Sequence, residues 1–145
     1  MEAVVEDVRR EVVDLHAFFV DWFNGTVDRD HLEPRFLSHM SEDVVFISPE
    51  GRTMGREQLR AAFDQGHGAN PGFRIEVRDV EIRRHIGSMV LITYTEWQIG
   101  SKAPPHADNA RLTSALIETG SPPSWLHIHE TWLPDDIRAA DPFAF

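Results

Sequence analysis

The stretch Ser124-Trp125-Leu126-His127-Ile128-His129-Glu130-Thr131-Trp132-Leu133 constrains the fold more than any other part of the chain. Its residues alternate in character, so as a strand it has two faces. Leu126, Ile128, Glu130 and Trp132 share one; Trp125, His127, His129 and Thr131 share the other. Neither face has the make-up of ordinary solvated surface, so both need cover.

The chain upstream supplies helices for one side. Val4, Val8, Val12, Leu15, Phe19 and Trp22 recur at steps of three and four, which predicts a long amphipathic helix over 3–23. Asn24-Gly25 ends it, with glycine free to take the left-handed cap. His16 lies within this helix and reads as a boundary residue. Asp28 to Met40 reads as a second, shorter helix, and Val44-Val45-Phe46-Ile47 as a short strand closed by Ser48-Pro49-Glu50-Gly51. Gly55 to Phe63 gives a third helix, and Gly66 to Gly72 a loop.

From Phe73 onward the period changes to two. Apolar parity slips between Val77 and Val80, which predicts a bulge near Arg78-Asp79. Ile86-Gly87-Ser88 turns into a strand from Met89 to Ile99, and a loop with Pro104-Pro105 leads to a strand from Asn109 to Glu118. Gly120-Ser121-Pro122-Pro123 then turns into the final strand. Helices first and hairpin-linked strands after make this the α+β class, in the order α-α-β-α-β-β-β-β. The expected shape is a single domain over 1–145: helices in the concavity of a strongly bent antiparallel sheet, a core over 4–133, and a tail over 134–145 that docks through Phe143 and Phe145 if it docks at all.

Hairpin geometry then sorts side chains. A turn centred near Pro104 puts Glu96 across from Arg111; a turn near Ser121 puts Arg111 across from Glu130, or from Trp132 if the register moves by two. One face then reads Val90, Ile92, Tyr94, Glu96, Gln98; Asn109, Arg111, Thr113, Ala115; Leu126, Ile128, Glu130, Trp132. It is apolar at one end and polar at the other, as a pocket with a few convergent polar groups is. Glu96, Arg111 and Glu130 are the candidate catalytic residues, with Arg111 lowering the pKa of the carboxylate it grips and the other free to act as a base. Tyr94, Trp132, Phe19, Gln98 and Asn109 are the candidate ligand-binding residues. On a solvated sheet the same Glu–Arg–Glu row would be merely a cross-strand pairing.

The opposite face carries Leu91, Trp97, Ile99, Leu112 and Leu116 with Trp125, His127 and His129, and a second copy of the chain is the expected cover. His127 and His129 point the same way but lack an evident third ligand, so no metal site and no cofactor is expected. A formal charge of -10 with scattered arginines argues against nucleic acid. No apolar run approaches the ~20 residues of a membrane span. No cysteine is present, the start is acidic and helix-patterned, and a cytoplasmic location is the expectation. Walker and nucleophile-elbow motifs are absent.

This order of elements, with Trp125-Leu126-His127-Ile128-His129 in the last strand and Arg111 in the one before, resembles the nuclear transport factor 2-like superfamily. Within it the pattern is most similar to the association domain of calcium/calmodulin-dependent protein kinase II and small bacterial relatives. The resemblance implies a cone, a pocket between sheet and long helix, and dimerisation through the outer sheet face. It also implies a choice of functions, since the superfamily holds ketosteroid isomerase, limonene epoxide hydrolase, scytalone dehydratase, polyketide cyclases and non-catalytic dimers. Glu96 and Trp132 stand where the association domain would be expected to carry arginines. Three functional readings follow: a homodimer binding a small apolar or weakly polar ligand, a cofactor-free acid–base enzyme of isomerase, dehydratase, cyclase or epoxide hydrolase type, and an assembly module.

Overall fold

In the computed structural model, which describes residues 2–102, 107–140 and 145, the apolar stripe forms helix α1, Glu2–Asn24. Val8, Val12, Leu15, Phe18 and Trp22 are buried along it. Gly25, at φ 77°, ends the helix as expected, and the Thr26 amide donates to the Asp21 carbonyl at 2.9 Å to close the last turn.

The segment expected as one second helix is three short pieces: a 3₁₀ turn at Arg29–His31, helix α2 at Leu32–Arg35 and another 3₁₀ turn at Leu37–His39. Strand β1 then starts earlier than expected, at Met40–Ile47, and a two-residue strand β2, Thr53–Met54, folds back on it. Helix α3 is Arg56–Gly66; strands β3 (Arg74–Ile86), β4 (Met89–Ile99), β5 (Asn109–Glu118) and β6 (Ser124–Trp132) follow, and helix α4 (Asp135–Ala140) lies in the tail. Pro104, Pro105 and Phe143 lie outside the described residues.

The sheet runs β2-β1-β6-β5-β4-β3. It is mixed rather than wholly antiparallel, because β1 pairs with β6 in parallel. A strand separated from its neighbour by about 80 residues is free of the hairpin rule that makes sequential strands antiparallel. The bulge expected near Arg78-Asp79 is present: register shifts between Arg78 and Glu81, and Asp79 has φ 59°. Together with a second shift between Ile82 and Arg84 it bends β3.

Inside the curve sits one core, with α1 laid against Val90, Ile92, Tyr94, Ala115, Ile117, Trp125 and Ile128. Trp125 was expected on the outer face. A register shift in β6 leaves Leu116 opposite His127 but Ile117 opposite Trp125, so Leu126 is the extra residue and Trp125 turns inward. There its indole N–H donates to Glu11 Oε2 at 2.8 Å, and the same oxygen meets His39 Nδ1 at 2.8 Å. The outward side of β4, β5 and β6 keeps the expected residues otherwise, with Leu91 37% and Leu112 40% exposed.

Candidate functional site

Period-two alternation turns Tyr94, Glu96 and Gln98 of β4 and Asn109, Arg111 and Thr113 of β5 toward α1, all of them buried. Glu96 and Arg111 are direct cross-strand partners, as the hairpin geometry predicts. Arg111 stands opposite Trp132, the two-residue alternative, and Glu130 stands opposite Thr113. A step of two keeps the face, so Arg111 still reaches Glu130 diagonally, with Nη1 donating to Oε1 at 3.0 Å.

Arg111 does not bridge both glutamates. Its Nη2 donates to Asn109 Oδ1 at 3.0 Å, its guanidinium lies 4.8 Å from the centre of the Trp132 ring, and its Nε is buried without a hydrogen-bond partner. Asn109 and Trp132 therefore brace Arg111 and are not part of the cavity wall, whereas Tyr94, Gln98 and Phe19 are.

The partner of Glu96 is His16, read from the sequence as a boundary residue. Its Nε2 lies 3.0 Å from Glu96 Oε1 and its Nδ1 2.7 Å from the Val12 carbonyl oxygen. The Gln98 amide donates to the other Glu96 oxygen, so that carboxylate is used as an acceptor on both sides. Both ring nitrogens of His16 thus face acceptors, which suits an imidazolium that donates twice. Tyr94 adds its hydroxyl 3.4 Å from His16 Nε2. The available signal was phase: His16 is four residues after Val12 and three before Phe19, on the stripe that faces the sheet.

Electrostatics separate the two carboxylates. Burial pushes Glu96 up, but the His16 charge and hydrogen bond, with Arg111 and Gln98, outweigh it and hold the group at about 2. Burial opposes a charge on His16 as well, yet Glu96 beside it raises its pKa. For Glu130 burial wins over the Arg111 guanidinium, helped by the negative charge of Glu96, and the carboxyl is pushed up to about 7. Burial and the same two carboxylates push the Tyr94 hydroxyl well above its ordinary value, so it stays protonated.

These groups form one end of a cavity of about 180 Å³. Phe19, Phe23, Phe36, Phe46, Phe63 and Phe73 line the remainder with Tyr94, Trp125 and aliphatic residues from α1, α3 and β1. The aromatic rings brace one another: Phe36 stacks on Phe63 at 4.3 Å, and Phe23 meets Phe73 edge-on at 5.7 Å. Among the described residues no cluster of three or more His, Cys, Asp or Glu is placed to hold a metal ion.

Helices laid against a six-stranded mixed sheet are shared with solved structures described as nuclear transport factor 2-like or cystatin-like. Residues 16–132 match the model of the SnoaL-like domain, and the chain belongs to that family. A protein of unknown function from Pseudomonas aeruginosa, itself described as nuclear transport factor 2-like, superposes with a TM-score of 0.79 at 23% identity over 88% of this chain and 99% of that one. The association domain of the Caenorhabditis elegans calcium/calmodulin-dependent kinase II superposes with a TM-score of 0.65 at 13% identity, over 90% of this chain and 96% of that one. Sucrose-phosphatase 1 of Nicotiana tabacum is 27% identical over 128 residues, which are 85% of this chain and 30% of that protein. The chain thus spans less than a third of the length of the curated relatives it matches. No helix among the described residues is long and apolar enough to cross a membrane.

Proposed function

We propose that this domain binds a small, largely apolar molecule inside the cone and works as a homodimer. The observation that carries the reading is the cavity: about 180 Å³ that the protein's own side chains surround without filling, between a helix and the concave sheet, with its polar groups gathered at one end. A domain used solely for assembly gains nothing from such a void, which costs packing energy. Xenon-pressurised NMR of the protein tests the pocket, with shifts confined to resonances of the wall, such as Phe19, Phe63 and Tyr94, as the expected result. Shifts spread over the surface, or none at all, refute it.

The dimer rests on the outward side of β4, β5 and β6. Outward positions from Leu91 to Ile99, Ala110 to Leu116 and His127 to Thr131 carry no charged residue, on a chain whose formal charge is -10. Two like-charged copies meet best through such a face. Association-domain structures among the neighbours add support. Sedimentation at micromolar concentration should give twice the 16.6 kDa chain mass, and Leu112→Glu should return it to the single-chain value.

A second reading has its own observation. Glu130, held at about 7, is poised to exchange a proton near neutrality, and Tyr94, which keeps its hydroxyl proton, lines the same cavity as a donor. That arrangement suits cofactor-free proton transfer, with Glu130 as base, Arg111 holding it, and His16 rather than Arg111 holding Glu96. Deuterium exchange into small ketones that is lost in Glu130→Gln would support it; exchange equal in the two proteins would remove it.

A further inference from the structure

The small-molecule reading can be sharpened to a ligand class, and the following rests on it. We propose that the cavity is built for a neutral, single-ring aromatic molecule carrying one hydroxyl, the ring held among the phenylalanines and the oxygen set between Tyr94 and Glu130.

Size sets the first bound. An apolar protein cavity of about 150 Å³ takes one benzene ring. At about 180 Å³ this cavity has room for one ring and one or two small substituents.

The wall sets the second. Eight of the cavity-lining side chains are aromatic, and they meet both face to face and edge to face. A planar guest continues that pattern and gains ring–ring contacts that a saturated ring of equal size does not.

Charge sets the third. Each cation in the cavity is already matched: His16 with Glu96, and Arg111 with Glu130. Arg111 spends one hydrogen bond from each terminal nitrogen on Glu130 and Asn109, and its Nε stays buried and unpaired. A carboxylate entering this space would shed its water and come to lie beside the ionised Glu96, a cost that an uncharged guest avoids.

What remains open is a matched donor and acceptor. Tyr94 keeps its hydroxyl proton, and its 3.4 Å approach to His16 Nε2 is too long for a firm hydrogen bond. Glu130 uses Oε1 for Arg111, and no hydrogen bond from the described residues reaches its Oε2. A phenolic hydroxyl satisfies both at once, accepting from Tyr94 and donating to Glu130.

Titration calorimetry with four probes of nearly equal size tests this: 4-methylphenol, toluene, 4-methylcyclohexanol and 4-methylbenzoate. The phenol should bind roughly tenfold more tightly than the saturated alcohol or the benzoate, and Tyr94→Phe should weaken the phenol several-fold while leaving toluene unchanged. Glu130→Gln, measured at pH 8, is the second variant and should weaken the phenol in the same selective way. Equal or tighter binding of the alcohol or the benzoate overturns the ligand class but leaves the pocket reading intact. If none of the four binds, toluene included, the pocket reading itself falls and the ligand class with it.

Discussion

Glu130 makes the stability of this protein depend on pH in a direction opposite to that of an ordinary ion-paired carboxylate. Its pKa in the folded protein is about 7, against an ordinary 4.5. Between those values the folded state holds a proton that the unfolded state has released. Stability from this group is therefore complete below pH 4.5 and is lost as pH rises through about 7. Each tenfold change is ~1.4 kcal/mol, so the full loss is at most roughly 3 kcal/mol. In a chain near this length that corresponds to a fall in melting temperature of roughly 5–10 °C. Glu130→Gln keeps the shape of the neutral acid and cannot ionise. Melting curves followed by circular dichroism from pH 4.5 to 8 should show the two proteins alike at the acid end and the variant more stable at pH 8. His16, also raised, adds a loss of its own above pH 6.5 in both proteins, and Glu96, held near 2, acts only below pH 4.5. The difference between the two curves therefore reports mainly on Glu130, with a smaller part from His16, whose pKa Glu130 helps to raise. Parallel curves across the range would show that Arg111 outweighs burial at this site and would refute the argument.

Other expectations follow from the same geometry. His16→Gln strands a buried carboxylate and should cost about 3–5 kcal/mol in urea denaturation, with Glu96→Gln in the same chain recovering part of it. Trp125→Phe takes a donor from the buried Glu11 carboxylate, leaving His39, and should cost about 1–3 kcal/mol by the same measurement. At Gly66 an added Cβ would overlap the Phe23 ring, which Phe63 and Phe73 hold at 5.2 and 5.7 Å, so Gly66→Ala should cost ~1–3 kcal/mol. A neutral result there would mean that the aromatic cluster yields more easily than its packing implies.

Much of this molecule is legible in its sequence because two periodicities carry the information. The 3.6-residue stripe defines α1, and the two-residue alternation defines β3 to β6 and sorts β4 and β5 between inside and outside. Illegible elements are those that local pattern does not encode. The parallel pairing of β1 with β6 joins residues about 80 apart in sequence, and no turn chemistry announces it. Strand β2 is two residues long, too short to show alternation. The Leu126 irregularity follows from pairing between strands, and it alone moves Trp125 from one side of the wall to the other.

The site shows the same division. Glu96, Arg111 and Glu130 share a face because hairpin partners preserve parity, and an error of two residues in register does not disturb it. The partner of Glu96, in contrast, depends on where α1 crosses the sheet. Helix phase puts His16 on the inward side, but its axial position along β4 is set by tertiary packing, chiefly Val12, Leu15 and Phe19 against the concave wall. That crossing decides the chemistry. With Arg111 between two glutamates, either carboxylate could serve as the low-pKa partner. With His16 bound to Glu96, Glu96 becomes the fixed anion and Glu130 the group that titrates near neutrality. The acid–base character of the pocket therefore belongs to the packing of the first helix as much as to the strands.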